Sequence, residues 1–244
     1  MKYAIYIPAR NVVATLADVL ARLPLDVRNS ASEIIIVDNA STDGTREVAE
    51  SLVRQLNVTH LRSETNLGYG GSQKLAYSHC LKKGYDAVIM VHGDAQYAPE
   101  LAGKFVKAME EGDCGMVFGS RMSGDPLAGG MPRYRYLANI FLTKTENLFL
   151  RTNLSEFHSG YRAYQMKALK AAGFESCSDD FHFDTEIIVG LVRAGMKIKE
   201  FTIPTHYGKE SKSISFIHSI WYGLNTIRLV VNYRIRSRNR KVPA

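Results

Sequence analysis

The first half of the chain alternates short apolar runs with segments whose apolar residues recur at helical spacing. The apolar runs have the length and composition of buried strands and lie at residues 2–8, 33–37, 58–62, 87–91 and 115–119. The helical patterns lie between them, at residues 12–23, 43–56, 71–83 and 99–111. Continuous apolar strands separated by helices are typical of parallel sheets that are covered on both faces. The pattern therefore predicts an α/β fold with a doubly wound, mostly parallel sheet.

The pattern changes after residue 121. Residues 123–132 contain three glycines and two prolines, which favours a mobile loop beside an active site. Apolar residues recur every three or four positions from 213 to 236, which predicts a long amphipathic helix. We therefore expect one domain over residues 1–212 and a basic, amphipathic helical extension over residues 213–244. Further predicted elements are helices at 134–150 and 184–194 and a strand at 196–203.

Composition restricts the class of protein. Hydrophobic residues make up 45% and charged residues 23% of the chain, which is ordinary for a globular protein. The three cysteines, Cys80, Cys114 and Cys177, share no metal-ligand spacing, and their odd number argues against a disulfide framework. We find neither a secretory signal pattern nor an apolar run of about 18 residues. These features predict a cytoplasmic protein without a membrane span.

Basic residues concentrate near the end of the sequence. The net charge is +7, and residues 228–241 contain six basic residues and no acidic one. Such a segment favours an anionic surface. We expect lipid head groups at the cytoplasmic face of a membrane rather than nucleic acid, because no element that reads bases accompanies the charge. Alternatively, the terminal helix packs on the core or on a second subunit, which would make a homodimer.

Two aspartates end two of the predicted parallel strands. Asp38 follows the strand at 33–37, and Asp94 follows the strand at 87–91 within the segment His92 to Gln96. The carboxyl ends of parallel strands open on one crevice, so both carboxylates are expected to flank a single pocket. Magnesium and manganese prefer oxygen ligands such as a carboxylate or an amide. Alternatively, the roles are purely structural: each aspartate only caps a turn or helix, and His92 is a hydrogen-bonded structural residue.

A set of short motifs occurs in order along the chain. The motifs are residues 7–11 (IPARN), 37–45 (VDNASTDGT), 66–70 (NLGYG), 92–96 (HGDAQ), 119–121 (GSR), 159–162 (SGYR), 183–186 (FDTE) and 208–212 (GKESK). Together they resemble the family 2 glycosyltransferases and are most similar to the dolichyl-phosphate mannosyltransferase branch. The resemblance covers residues 3–212, and its specificity lies in the ordered set.

The resemblance implies a GT-A-like, nucleotide-sugar-binding fold and an inverting transfer of a sugar from a GDP- or UDP-linked donor. The implied acceptor is a polyprenyl (dolichyl-type) phosphate, and the implied cofactor is a divalent cation, Mg²⁺ or Mn²⁺, held by Asp94 and Gln96. The implied nucleotide-binding residues are Pro8, Ala9, Asn11, Asp38, Gly68, Gly70, His92 and Gly93. The implied acceptor and phosphate-binding residues are Arg121, Arg133, Ser159, Lys209 and Lys212. The implied catalytic residues are Asp94, Arg121, Glu156 and Asp184.

The acceptor decides whether a general base is needed. A phosphate monoester, with a second pKa of about 6, is already anionic at neutral pH. A sugar hydroxyl would need a base, for which Glu156 and Asp184 are the candidates. Two departures from the family pattern, Val12 in place of a glutamate and His92 in place of an aspartate, also allow a non-catalytic nucleotide-sugar-binding protein. A nucleotidyltransferase is disfavoured, because residues 9–13 contain no glycine.

Overall fold

A mixed sheet of seven strands lies at the centre of the described chain. The computed structural model describes residues 1–54, 57–204 and 216–239. The strand order is β3-β2-β1-β4-β6-β5-β7. The strands are β1 (Tyr3–Ala9), β2 (Glu33–Asn39), β3 (Val58–Ser63), β4 (Ala87–Met90), β5 (Met116–Ser120), β6 (Arg162–Gln165) and β7 (Ile198–Thr202).

Most neighbouring strands run parallel, as predicted. β1 pairs with β2 and β4, β2 with β3, and β5 with β7, all in parallel. β6 is antiparallel to both of its neighbours, β4 and β5. The chain builds outward from β1 to β3 and then returns to place β4 on the other side of β1. This reversal creates a crevice at the carboxyl ends of β1 and β4, where open α/β sheets bind ligands.

Helices cover both faces of the sheet. One apolar core contains Ile5, Ile36 and Phe105, and the other contains Tyr6 and Tyr77. All residues of β2 and β4 are buried, which agrees with the continuous apolar runs at 34–37 and 87–90. The helices are α1 (Leu16–Arg22), α2 (Leu25–Ser30), α3 (Thr45–Val53), α4 (Gly68–Lys83), α5 (Ala102–Glu110), α6 (Arg133–Leu150), α7 (Met166–Ala172), α8 (Phe183–Arg193) and α9 (Phe216–Asn239).

The structure shortens two predicted helices. The segment predicted at 12–23 is helical only from Leu16; the residues before it form a turn in which the Thr15 backbone N–H donates to the Val12 carbonyl at 3.0 Å. α3 begins at Thr45, whose backbone N–H donates to the Asp43 carboxylate at 2.9 Å. The helix predicted at 99–111 begins as a short 3₁₀ turn and continues as α5.

Three elements escape the sequence pattern. α2 follows Pro24 directly and has only six residues. β6 consists of the sequence RAYQ, in which Arg162 and Gln165 break the apolar run although all four residues are buried. α7 follows β6 without an intervening loop. Local patterns assume that polar residues face water, and β6 violates that assumption.

The long C-terminal helix is confirmed as α9, which packs on α6 and α8. Its predicted first residues, 213–215, lie outside the described residues, as does the expected domain boundary at 212. Within the described ranges, no helix combines the length and the apolar character that crossing a membrane requires. The segment between β5 and α6 forms successive turns, closed for example by the backbone bond from Gly130 to Leu127 (3.0 Å).

The contact between α7 and α8 provides a test of the packing. A Cβ on Gly190 would lie 2.5 Å from the carbonyl oxygen of Ala172, so the Gly190→Ala variant must push two backbones apart. We expect a loss of about 2 kcal/mol in the free energy of unfolding, measured by urea denaturation. Gly103→Ala in α5 is the control, because the nearest atom lies 3.5 Å from its added Cβ. That variant should be neutral or more stable by up to about 1 kcal/mol. Equal effects of the two substitutions would contradict the packing described here.

Candidate active site

A pocket of about 600 Å³ opens at the carboxyl ends of β1 and β4. This is the position that the reversal of strand order predicts for a ligand. Three segments supply most of its wall: residues 8–15 after β1, residues 92–96 after β4, and residues near the start of α4. The lining residues are Pro8, Ala9, Arg10, Asn11, Val12, Val13, Ala14, Thr15, Asn39, Asn66, Gly68, Tyr69, Ser72, His92, Gly93, Asp94, Ala95, Gln96, Asp180 and Phe181.

The segment after β1 is held against the segment after β2. Asn11 has a left-handed backbone with φ of 55°. Its side-chain carbonyl accepts a hydrogen bond from the Thr42 backbone N–H at 2.8 Å, and its own N–H donates to the Ser41 hydroxyl at 3.0 Å. Asparagine tolerates left-handed backbone better than most residues. These bonds fix one wall of the pocket, on which Arg10 is exposed.

The segment after β4 presents a carboxylate to the pocket. Asp94 is exposed, and one of its oxygens accepts the Gln96 backbone N–H at 3.0 Å. Gly93 lies so close to the first strand that an added Cβ would be 2.9 Å from the Pro8 carbonyl oxygen. The Thr15 hydroxyl donates to the Gly93 carbonyl at 2.7 Å. These contacts hold the Asp94 segment against the end of β1 and the segment that follows it.

His92 joins the pocket to the segment before β6. Its Nε2 atom lies 3.2 Å from the carbonyl oxygen of Gly160. Because a carbonyl oxygen only accepts, this geometry places a hydrogen on Nε2. The Tyr97 ring packs edge-on against the imidazole, and the Tyr97 hydroxyl accepts the Gly160 backbone N–H at 2.9 Å. His92 therefore lines the pocket and also fixes the position of Gly160.

The donors at Asp94 and Gln96 suit a divalent cation that is shared with a phosphate ligand. Magnesium sites in nucleotide-binding enzymes commonly use one or two carboxylates, and substrate phosphates and water complete the shell. Asp94 and Gln96 both face the pocket. No group of three or more His, Cys, Asp or Glu residues with metal-binding geometry occurs in the described part of the chain. The residues therefore fit a cation site in which the protein supplies few ligands and the oxygens of a bound phosphate and of water supply the others.

Asp38 lies behind the pocket wall and does not line it. Its side chain is fully buried, and one oxygen accepts the Ser41 backbone N–H at 2.9 Å. The other oxygen lies 3.9 Å from both His60 Nε2 and Arg62 Nε on the neighbouring strand β3. Burial lowers the pKa of His60 against the opposing charge of Asp38. The adjacent Asn39, rather than Asp38, contributes to the pocket surface.

Glu156 forms a buried ion pair with Arg121. One carboxylate oxygen accepts bonds from the Arg121 guanidinium and from the Asn139 amide (3.0 Å), and the other accepts the Arg121 backbone N–H at 2.8 Å. Burial raises the pKa of Glu156, but the charge and hydrogen bonds of Arg121 and the Asn139 bond outweigh it, so the pKa lies below its ordinary value. Neither residue lines the pocket.

Asp184 is the centre of a second buried network. Its carboxylate accepts bonds from the Tyr69 hydroxyl (3.0 Å) and the Gln73 amide (3.3 Å) and lies 3.3 Å from the guanidinium of Arg162. Arg162 is fully buried and also donates to the backbone carbonyl of Phe157 at 2.7 Å. Burial lowers the pKa of Arg162, but Asp184 more than reverses that effect and keeps the guanidinium charged. Asp184 thus joins α8 to α4 and β6.

The glycines at the start of α4 serve a close approach to another part of the chain. A Cβ on Gly68 or Gly70 would lie 2.3 Å from the carbonyl oxygen of Asp179 or Ser178, respectively. The Gly70 backbone N–H donates to the Asp179 carbonyl at 2.8 Å. Gly68 lines the pocket and Gly70 does not. This contact brings Phe181 onto the pocket wall.

Other predicted residues lie apart from the pocket lining. Ser159 is fully buried, and its carbonyl accepts a bond from Arg162 at 2.6 Å. Arg133 is exposed at the first position of α6. Lys209 and Lys212 lie outside the described residues. The structure therefore brings Pro8, Ala9, Asn11, Gly68, His92, Gly93, Asp94 and Gln96 together in one pocket.

Sequence reasoning missed an aromatic pair on the pocket wall. The rings of Tyr69 and Phe181 stack at 5.2 Å between centroids, and both line the pocket. The Tyr69 hydroxyl is held by Asp184, and burial raises its pKa well above the usual value. Tyr69 lies within the glycine-rich motif at 66–70, in which only the glycines were predicted as site residues. Phe181 follows two aspartates in a loop and carries no local signal.

The chain matches a known sequence family. Residues 4–173 match the profile of Glycosyl transferase family 2. The undecaprenyl-phosphate mannosyltransferase of Micrococcus luteus is 27% identical over 205 residues, which cover 83% of each chain. The low-salt glycan biosynthesis hexosyltransferase Agl6 of Haloferax volcanii is 30% identical over 173 residues, which cover 70% of this chain and 40% of that protein. The chain thus spans less than half of the length of Agl6.

Solved structures show the same fold. Glucosyl-3-phosphoglycerate synthase from Mycobacterium tuberculosis in complex with UDP superposes with a TM-score of 0.67 at 14% identity, covering 96% of this chain and 80% of that chain. The same synthase with Mn²⁺, UDP and glucosyl-3-phosphoglycerate gives a TM-score of 0.63 at 13% identity, covering 96% and 79%. This likeness confirms the GT-A-like architecture. The family profile matches well over half of the sequence, and the chain therefore belongs to glycosyl transferase family 2.

Proposed function

We propose that the protein transfers a sugar from a GDP- or UDP-linked donor to a polyprenyl phosphate, with inversion in a single displacement. The observation that carries the proposal is the exposed Asp94 carboxylate on the wall of the pocket at the carboxyl end of β4. The similarity to a protein named undecaprenyl-phosphate mannosyltransferase over 83% of both chains supports the acceptor class. The fold neighbour that binds UDP supports a nucleotide-linked donor.

The donor would occupy the pocket between the segments after β1 and β4. Pro8, Ala9 and Asn11 form the wall for the base and ribose, and Asn39 adds an amide to that wall. Arg10 is exposed in the same lining and can neutralise part of the diphosphate charge. Holding the donor rigidly lowers the reorganisation that the displacement requires.

A divalent cation would be held by Asp94 and Gln96. When bound, Mg²⁺ or Mn²⁺ would offset the charge of the diphosphate and stabilise it as a leaving group. The backbone bond from Gln96 to Asp94 keeps the carboxylate oriented. His92 is committed to the Gly160 carbonyl through its Nε2 atom, so we assign it to holding the pocket wall.

The state of the two candidate bases favours a phosphate acceptor. Glu156 is fully buried and its two carboxylate oxygens accept bonds from Arg121 and Asn139. Asp184 is held in the same manner by Tyr69, Gln73 and Arg162. Its depressed pKa makes Glu156 a poor proton acceptor, and the Asp184 carboxylate is occupied by its hydrogen bonds and by the Arg162 ion pair. A phosphate acceptor needs no proton removal, because it is already anionic at neutral pH.

We further propose that the protein works at the cytoplasmic face of a membrane. Residues 1–212 would form the catalytic domain, and residues 213–244 would contact anionic lipid through their basic cluster. Basic side chains close to such a surface contribute roughly 1 kcal/mol each. The phosphate-binding roles of Arg121, Arg133, Ser159, Lys209 and Lys212 belong to the same proposal. The alternative is that α9 contacts a second subunit and forms a homodimer.

The role of Asp94 is testable by the Asp94→Asn variant. Losing the charge that holds the cation should reduce turnover in the presence of Mn²⁺ by about 100-fold or more, equivalent to about 3 kcal/mol. It should also abolish the Mn²⁺-dependent part of the thermal shift caused by a nucleotide diphosphate. The control is Asp18→Asn, which removes an exposed carboxylate from α1, outside the pocket. Unimpaired turnover of Asp94→Asn would remove the assigned role.

The acceptor class is testable by comparing polyprenyl phosphate, polyprenol and free sugars with the same radiolabelled donors. Product is expected only with polyprenyl phosphate, because polyprenol lacks the anionic oxygen that attacks. Thin-layer chromatography of the lipid phase measures the product. Transfer to saccharides alone would replace the lipid assignment with a saccharide hydroxyl acceptor. Tight donor binding without transfer to any acceptor would indicate a non-catalytic binding protein.

The ion pair of Glu156 predicts a pH dependence of stability. Because the folded pKa is depressed, the pair stabilises the fold above the unfolded pKa of about 4.3, and this contribution is lost as the pH falls through the folded value. Glu156→Gln should cost about 3 kcal/mol at neutral pH, and the difference from the wild type should shrink in acid. Urea denaturation across pH measures it, with the exposed Glu47→Gln as control.

The same Glu156→Gln variant separates a structural role from a catalytic one. The folded fraction should keep the wild-type shape of the pH–rate profile, since this carboxylate accepts no proton in the proposed reaction. A profile that loses its acidic limb in the variant would instead make Glu156 the general base.

A further inference from the structure

α6 has the opposite polarity from a helix that faces water. Four of its large apolar side chains are exposed: Tyr134 (52% exposed), Leu137 (63%), Phe141 (62%) and Leu148 (74%). At 3.6 residues per turn these four residues fall within an arc of about 60°. An amphipathic helix at a protein surface normally turns its apolar side to the core and its polar side to water. This stripe of four residues does the reverse.

Three of the four buried residues of α6 are polar, and the fourth is Leu150. Asn139, Thr143 and Glu146 are all buried and lie on the arc opposite the apolar stripe. Asn139 donates to the buried Glu156, and the Glu146 carboxylate lies 3.1 Å from Nε2 of His158. The polar inner face is therefore used to hold residues 156–158. Helix α6 has a polar side, but that side is needed inside the protein. Its apolar side is therefore left exposed.

The charges around the stripe indicate what covers it. Arg133 and Lys144 are exposed on the same helix and lie along one edge of the stripe, whereas Glu146, which is buried, is the only acidic residue of α6. The adjacent helix α9 contains no acidic residue and exposes Leu224 (56%), Arg228 and Ile235 (53%). Exposed apolar and basic side chains without exposed acidic ones complement an anionic lipid surface.

We infer that the outer face of α6, formed by Tyr134, Leu137, Phe141 and Leu148, inserts into the interface of an anionic bilayer. The biological purpose of this membrane contact rests on the proposed function, whereas the binding test below does not depend on it. Helices of this kind bury their apolar face about 5–10 Å into the interface. The Asn139 bond to Glu156 puts the Arg121 pair about one helix diameter, roughly 10 Å, behind that face.

The test is flotation of the full-length protein with vesicles of mixed phosphatidylcholine and phosphatidylglycerol. The double variant Phe141→Ser/Leu148→Ser should lower the partition coefficient by about 100-fold, roughly tenfold for each buried side chain. Leu25→Ser is the matched control, since Leu25 is 64% exposed on α2, and should leave the partition coefficient unchanged. Both variants should keep the wild-type melting temperature, because the altered side chains are exposed.

A charge variant separates the electrostatic from the apolar contribution. Arg133→Gln/Lys144→Gln should weaken binding about fivefold per charge on the mixed vesicles and leave binding to pure phosphatidylcholine unchanged. Flotation of Phe141→Ser/Leu148→Ser at the wild-type level would overturn the inference. A second result would also overturn it: a wild-type protein that is a dimer and does not float, and that Phe141→Ser/Leu148→Ser converts to a monomer in sedimentation velocity. The stripe would then be a contact between two copies of the chain.

Activity assays keep this inference distinct from the proposed function. With a short-chain, water-soluble prenyl phosphate, Phe141→Ser/Leu148→Ser should match the wild-type rate. With a long-chain acceptor embedded in vesicles, its rate should fall in proportion to the lost binding. If the wild type floats but transfers no sugar to either acceptor, the proposed function fails and the lipid-binding face stands.

Discussion

The structure around the pocket depends on one buried cation, the guanidinium of Arg162. It lies on the antiparallel strand β6 with no exposed surface, where an unpaired charge would be prohibitively costly. Asp184 neutralises it, and the guanidinium donates to the backbone carbonyls of Phe157, Ser159 and Asp184 and to the Tyr164 hydroxyl. Removing one partner of such a pair typically costs about 3–5 kcal/mol. The chain before β6 must therefore curl around the guanidinium.

That curl sets the far side of the pocket. It brings Gly160 to His92 and Tyr97, which hold its carbonyl and N–H, respectively. A Cβ on Gly160 would lie 2.5 Å from His92 Nε2, so the contact requires glycine. The same curl directs Glu156 towards Arg121 and the inner face of α6. The polar inner side of α6, and with it the apolar outer side, thus follows from how residues 156–160 are arranged.

The sequence predicted the parallel half of the fold well and the antiparallel part poorly. The apolar runs of β1, β2 and β4 are buried on both faces, so local hydrophobicity reports them directly. β6 was missed because its arginine is buried in an ion pair and hydrogen bonds that only the tertiary structure supplies, and its glutamine is buried as well. The site residues divide in the same manner. Asp94 follows an apolar strand and lies in the pocket, as predicted, whereas Asp38 also follows one and is buried behind it.

Burial also separates the acidic residues near the pocket into two kinds. Glu156 and Asp184 are each opposed by an arginine, so their negative charge is cancelled where it stands. Asp94 is exposed and receives only a backbone N–H, so its charge remains available to a cation. A donor diphosphate and an acceptor phosphate are both anionic and repel each other in a shared site. Arginines that already neutralise buried carboxylates offer them little net positive charge. In the proposed reaction most of the compensation would therefore fall on Arg10, the cation at Asp94 and the basic surface near the lipid, and Arg121 would contribute hydrogen bonds more than net charge.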